Sequence, residues 1–337
     1  MKKRQILYFT APGQVEIREE SLPVPAPGEL LVETIVSAIS SGTEMLVYRG
    51  QFPKMAVDAS IESLAREFAY PLAYGYAAVG RVTDLGAGLP SDWLGRLVFS
   101  FQPHTSHFLA SPEAVFPVPD GFSPEAASFL PNMETAVNLV QDGAPILGER
   151  VLVFGQGIIG LLTAALLREF PLEALVSADC DQARREASGA LGVTICLDPQ
   201  ASGFSSSARE LFGASADLTY ELSGNPAALN DAIALTRFSG RVVIGSWYGD
   251  KPAALDLGSS FHRSRIRLIS SQVSSIAPEL SARWDKARRF DVAWSALRRI
   301  QPEQWVTQRF PLGKAADAYH LLDASPAEAI QVIFEYE

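Results

Sequence analysis

Glycines at 155, 157 and 160 follow four apolar residues, Val151 to Phe154, and open an apolar run that reaches Leu167. Strand, G-x-G-x-x-G and helix, in that order, are what a dinucleotide site needs. The first glycine permits a tight turn, the second lets backbone approach a pyrophosphate, and the third lets helix and strand pack closely. The helix N-terminus then aims bare N–H groups at the phosphates. Gly155, Gly157, Ile158, Ile159 and Gly160 therefore form the candidate cradle. Glycines after a strand are by themselves only a turn. Here a second apolar run, Ala174 to Val176, leads to Asp179, 19 residues beyond Gly160. A carboxylate there accepts from an adenosine ribose and repels a 2′-phosphate, so NAD is preferred to NADP. Arg184 and Arg185 keep NADP open; the simpler reading makes them solvated charges on the next helix. Cys180 and Asp181 read as rim residues.

These residues need a scaffold. Residues 1 to about 122 read as short strands: Ile6 to Phe9, Val15 to Arg18, Glu29 to Val36, Ala77 to Val82 and Leu97 to Ser100. Proline- and glycine-rich turns separate them, as in a β-barrel-like domain. Ile61, Leu64, Ala65 and Phe68 share a helical face, which predicts an amphipathic helix over Ala56 to Phe68. At Ser123 the period changes: Ser123 caps a helix that runs from Pro124 to Val140. Strands then alternate with helices at Val151 to Phe154, Ala174 to Ala178, Val193 to Leu197, Leu218 to Glu221, Arg241 to Gly245 and Ile266 to Ser270. That alternation predicts a doubly wound parallel sheet. A helix carrying Leu280, Trp284, Ala287, Trp294 and Leu297 and a strand from Ala329 to Phe334 return the chain to the first domain. The expected division is 1–122 with 276–337, and 123–275 between them.

The chain has 337 residues, 47% apolar and 20% charged, with net charge −10. That suits a soluble two-domain protein and argues against nucleic acid or an anionic membrane as partner. Two cysteines are too few for a disulfide framework or a four-cysteine zinc lobe. Neither a signal-peptide core nor a membrane span is visible, so a cytoplasmic enzyme with a small-molecule substrate is expected.

Several further stretches carry a family likeness. They are Ser41-Gly42-Thr43-Glu44 with Tyr48-Arg49-Gly50, then Tyr74-Gly75-Tyr76-Ala77-Ala78-Val79-Gly80-Arg81-Val82, Gly148-Glu149-Arg150, Glu221-Leu222-Ser223-Gly224-Asn225-Pro226 and Gly240-Arg241-Val242-Val243. In this order they resemble the medium-chain dehydrogenase/reductase family over nearly the whole chain. The resemblance implies an α/β architecture: a GroES-like β-barrel catalytic domain with an inserted Rossmann doubly wound parallel sheet. It also implies a homodimer or homotetramer. The branch it looks most like contains bacteriochlorophyllide 2-hydroxyethyl dehydrogenase and threonine-dehydrogenase-like proteins.

Zinc members place cysteine, Gly-His-Glu and a third ligand where this chain has Ser41, then Gly75-Tyr76-Ala77, then Pro131. Catalytic zinc needs imidazole, thiolate or carboxylate donors, so no zinc is expected. Glu44, Glu134, His104 and His107 are the only replacements in view; His104 and His107 read more simply as surface or packing residues. The resemblance then gives Thr43 the relay hydroxyl and puts the Tyr76 phenol in the cleft as acid/base or electrophile. A core tyrosine is the competing reading for Tyr76. Ser41 reads as a minor donor or a small filler, and Tyr48 is a further relay candidate. Thr135 resembles the family residue that packs beside the nicotinamide, with Glu134 either a contact there or a helix-start carboxylate. Ser223 and Ser246 join the cofactor set, and Trp247 or Tyr248 walls the pocket. Arg263, Arg265 and Arg267 read as one side of a strand, facing solvent, a subunit or an acidic substrate. The expected function is a zinc-independent, NAD(P)(H)-dependent oxidoreductase acting on a secondary alcohol or its ketone. A quinone or enoyl reductase and a non-catalytic dinucleotide-binding protein are the alternatives.

Overall fold

A computed structural model describes residues 3–52, 69–193 and 195–336. The helix expected over Ala56 to Phe68 lies outside them. The chain forms two compact units, Met1–Pro131 with Leu297–Glu337, and Asn132–Ala296.

The discontinuous unit opens with β1 (Lys3–Ala11) and β2 (Gln14–Ser21), an antiparallel hairpin. β3 (Leu30–Ala38) leads into α1 (Ser41–Arg49). β4 (Leu72–Ala73), β5 (Ala78–Leu85), β6 (Leu97–Ser100), β7 (His107–Ala110), β8 (Phe116–Pro117) and α2 (Pro124–Ser128) follow. Ser123 caps α2 as its sequence predicts: its hydroxyl accepts from Ala126 N–H at 3.0 Å. The expected single helix is broken, however, and α3 (Leu130–Gly143) starts afresh after Phe129. Pro131 has no N–H to continue the ladder.

The other unit is a parallel sheet. β9 (Arg150–Phe154), α4 (Ile158–Leu167), β10 (Ala174–Ala178), α5 (Gln182–Ala190), β11 (Ile195–Leu197), α6 (Phe204–Phe212), β12 (Ala216–Glu221), α7 (Ala228–Leu235), β13 (Thr236–Ile244) and β14 (Arg267–Ser270) alternate in sequence. Their sheet order is β11-β10-β9-β12-β13-β14, all parallel. Winding reverses between β9 and β12, and ligands of such sheets bind beyond the strand ends at that point. β9 is covered on both faces, which is why Val151 to Phe154 read as an unbroken apolar run. Only Arg267 of the three arginines lies in β14. Arg263 lies in a helical turn and Arg265, with φ +52°, in the turn before the strand, so they do not form one strand face.

α8 (Lys286–Ile300) starts later than its apolar spacing predicts. β15 (Val306–Pro311), α9 (Ala315–Ala324) and β16 (Gln331–Glu335) return to the first unit, where β16 pairs with β3. The unit boundaries differ from 122/123 and 275/276. Residues before α8 stay with the parallel sheet because fully buried Arg289 donates to Glu134 at 2.8 Å and to the Ser275 carbonyl at 3.1 Å. Among the described residues no helix is long and apolar enough to cross a membrane.

Candidate active site

In the parallel-sheet unit the glycine turn has the geometry its motif demands. Gly155 has φ +86°, and a Cβ there would lie 2.6 Å from the Leu222 carbonyl group. A Cβ on Gly160 would lie 1.8 Å from the Gly155 oxygen. Around Gly157 the space for a side chain is open. Gly157 is the N-cap of α4 and supplies no side-chain cap, so the amides of Ile158 and Ile159 open the helix uncapped. Gln156 is fully buried, and its Oε1 has no hydrogen-bond partner among the described residues. Bare helix amides beside an open cradle fit the pyrophosphate of a dinucleotide.

Asp179 is 8% exposed at the tip of β10. Its Oδ2 accepts from Gln156 N–H at 2.6 Å and its Oδ1 from Asp181 N–H at 2.8 Å. The carboxylate thus ties the turn to the next strand, and each oxygen keeps a lone pair for a ribose hydroxyl. Asp181 caps α5 through Ala183 N–H. Arg184 leans toward Asp181 at 3.6 Å, and Arg185 donates to the carbonyls of Asp179 and Cys180. Both cysteines are free thiols.

Across the switch point Glu221 is fully buried at the end of β12. It accepts from the Ser223 N–H at 2.8 Å, from the Ser223 hydroxyl, and from the Tyr248 phenol at 2.5 Å. Ser246 accepts from Gly224 N–H at 2.9 Å. Ser223 and Ser246 therefore sit together, Ser223 held by the Glu221 carboxylate and Ser246 by the Glu221 backbone carbonyl and Gly224 N–H, a role for Glu221 that the motif reading did not give. Trp247 is 41% exposed, while Tyr248 is committed to Glu221. Thr135 lies on α3. Its neighbour Glu134 is ion-paired through Oε1 with Lys286 and Arg289, each at 2.8 Å.

The barrel unit holds the second set. Ser41 and Thr43 lie in the first turn of α1, whose N-cap is Ser40. The Tyr76 phenol donates to the Ser40 hydroxyl and is also hydrogen-bonded to Thr43. Burial pushes the phenol up to about 12, offset in part by the Ser40 and Thr43 hydrogen bonds. Ser40 escaped the sequence reading. Tyr48 does not join this set: it is buried in the core and stacks on Tyr319, with ring centroids 5.4 Å apart.

Glu44 and His104, 60 residues apart in sequence, meet at 2.9 Å with both side chains fully buried. Glu44 also accepts from Ser40 N–H at 2.8 Å and from the Tyr319 phenol at 2.5 Å. The other His104 nitrogen contacts the Ser37 hydroxyl at 2.6 Å, and Ser37 contacts Tyr336 at 2.7 Å. His107 turns elsewhere, to Ser106 at 3.1 Å and toward Glu33 at 3.9 Å.

The family model for zinc-binding dehydrogenases matches residues 159–290. L-galactonate-5-dehydrogenase of Escherichia coli (strain K12) is 25% identical over 95% of each chain. The structure is similar to that of an alcohol dehydrogenase, rspB, from Escherichia coli CFT073 complexed with NADH. The TM-score is 0.80 at 19% identity, covering 99% of this chain and 100% of that one. A zinc-binding dehydrogenase from Sinorhizobium meliloti 1021 bound to NADP gives 0.79 at 18%, covering 99% and 100%. The chain is thus similar to zinc-binding dehydrogenases over residues 159–290, and its fold is that of alcohol dehydrogenases.

The residues at the positions where the zinc enzymes it resembles keep their ligands do not suit the metal. Ser41, Tyr76 and Pro131 offer two hydroxyls and a ring without a donor atom. Glu44 and His104 spend all four side-chain donor and acceptor atoms on protein partners. The family match at 159–290 lies outside all three positions.

Proposed function

We propose that this protein is an NAD(H)-linked, zinc-independent dehydrogenase of secondary alcohols and their ketones. When bound, a nicotinamide supplies the hydride acceptor or donor. The chain's own part is division of labour. The Gly155–Gly160 turn and Asp179 hold the nucleotide, and the barrel unit supplies hydroxyl donors in place of a Lewis acid. A phenol held at about 12 keeps its proton through the neutral range. Tyr76 therefore acts as hydrogen-bond donor to the substrate oxygen as charge develops there, and not as the base. Thr43 and Ser40 hold the phenol in place; its single proton, given to Ser40 in the free protein, swings to the substrate oxygen, and the Ser40 hydroxyl donates to the phenol oxygen in return. The single observation that carries the reading is the Tyr76–Ser40–Thr43 hydroxyl cluster at a position where zinc relatives keep a ligand. L-galactonate-5-dehydrogenase, similar along 95% of the chain, supports a polyhydroxylated secondary alcohol as substrate class.

Tyr76→Phe tests this. Turnover on a secondary-alcohol panel beginning with L-galactonate should fall about 100-fold, the usual loss for one such donor. NADH affinity by fluorescence titration should stay unchanged. Full turnover by the variant removes Tyr76 from the chemistry. Stoichiometric zinc in the purified active protein overturns the zinc-independent reading. Activity confined to enones or quinones moves hydride transfer to a C=C bond.

A further inference from the structure

Tyr76 is held by Ser40, and Ser40 is held by something deeper. Its backbone N–H donates to Glu44 Oε1, one turn along α1. Glu44 has no contact with solvent and, among the described residues, three partners: Ser40 N–H, the Tyr319 phenol and His104 Nε2. These leave neither carboxylate oxygen unpaired, as burial demands. Behind it the contacts continue: His104 Nδ1 lies 2.6 Å from the Ser37 hydroxyl, which lies 2.7 Å from the Tyr336 phenol. Burial raises both the Tyr319 and Tyr336 phenols, so both remain donors.

The backbone is shaped around this pair. Gly75, next to Tyr76, has φ +122°, and a Cβ there would lie 2.8 Å from His104 Cδ2 and 2.9 Å from Nε2. The segment that delivers Tyr76 thus rests directly on the imidazole that holds Glu44. One side of the Tyr76–Ser40 couple is set through α1, the other through Gly75, and both converge on Glu44 and His104.

We propose that Glu44 and His104 are the positioning pair that fixes the Ser40–Tyr76 hydroxyl couple for catalysis. The proposal rests on the reading of Tyr76 as the donor to substrate. It gives a role to two residues whose types alone invite a metal. Neither touches the reacting atoms; they act through Ser40 and Gly75.

The test uses the full chain labelled with ¹³Cζ-tyrosine, with the Tyr76 resonance assigned by its loss in Tyr76→Phe. Glu44→Gln should move that resonance while melting by circular dichroism stays cooperative. With NADH and butane-2,3-dione as probe, kcat should fall about tenfold while KM for NADH holds, as expected for a misplaced catalytic group. In the Tyr76→Phe background the same substitution should cost nothing further. Tyr319→Phe removes one donor to Glu44 and keeps the ring, so it should move the resonance and kcat in the same direction by less. It decides the matter where Glu44→Gln yields too little folded protein. A Tyr76 resonance that stays in place overturns the proposal. So does a kcat loss that multiplies on top of Tyr76→Phe, since that is structural damage independent of Tyr76. A moved resonance with full turnover in Tyr76→Phe leaves the positioning intact and removes the catalytic reading of Tyr76.

Discussion

Asp179 does two things with one carboxylate. It accepts from Gln156 N–H at 2.6 Å, which shapes the glycine turn, and in the proposed reading its charge repels a 2′-phosphate. Asp179→Ala should therefore weaken NADH binding by about tenfold or more, the scale of a charged hydrogen bond, and narrow the preference over NADPH. Fluorescence titration with both nucleotides reads the two effects; an unchanged ratio of affinities removes Asp179 as the selector. Asp179 was legible in the sequence because its spacing from Gly160 is local and its chemistry is specific. Ser40, Tyr319 and Tyr336 were not. Tyr319 reaches Glu44 across 275 residues of chain, and Ser37 reaches Tyr336 across 299. No periodicity links such positions. Residue type alone left a metal site open at Glu44 and His104; their partners make them a closed hydrogen-bonded pair, in line with the simpler packing reading of His104.

Elements with a strong local signal were read well. The Ser123 cap, the parallel strands and the strand–glycine–helix turn all lie where their patterns put them. α1 was missed for a physical reason. Its first turn contains Gly42 and Thr43, weak helix formers, and Glu44 to Tyr48 are buried consecutively, which erases the 3.6-residue period. Tertiary packing alone makes this segment helical. α9 and β7 were likewise absent from the sequence reading. The glycine turn, by contrast, depends on atom-scale clearance, which permits a sharp expectation. A methyl on Gly160 would sit 1.8 Å from the Gly155 oxygen, so Gly160→Ala must push α4 off β9. Calorimetric titration should show NADH binding lost, with the far-ultraviolet spectrum of the sheet retained. Wild-type affinity in that variant breaks the link between this turn and the cofactor.

At the scale of the molecule, both units bury phenols. Tyr76, Tyr319 and Tyr336 lie in the barrel unit, Tyr220 and Tyr248 in the parallel-sheet unit, and burial is the leading cause of a raised value in each. The unfolded chain releases these protons near the ordinary value of 10.0, while the folded chain holds them, Tyr76 to about 12. Above 10 the unfolded state therefore binds fewer protons than the native one, and stability must fall as pH rises. The stabilisation is complete below the unfolded value and is lost on climbing toward the folded ones. The slope is about 1.4 kcal/mol per pH unit for each phenol that stays protonated only in the native state. Urea unfolding at about pH 9 and about pH 11 should show a steep drop in midpoint with little change in m. Tyr319→Phe should flatten that drop, because phenylalanine keeps the ring and has no proton to lose. A midpoint that holds across this interval means the phenols titrate in the folded protein as they do in the unfolded chain. The hydroxyl donors assigned here would then lack the dry surroundings that keep Tyr76 protonated.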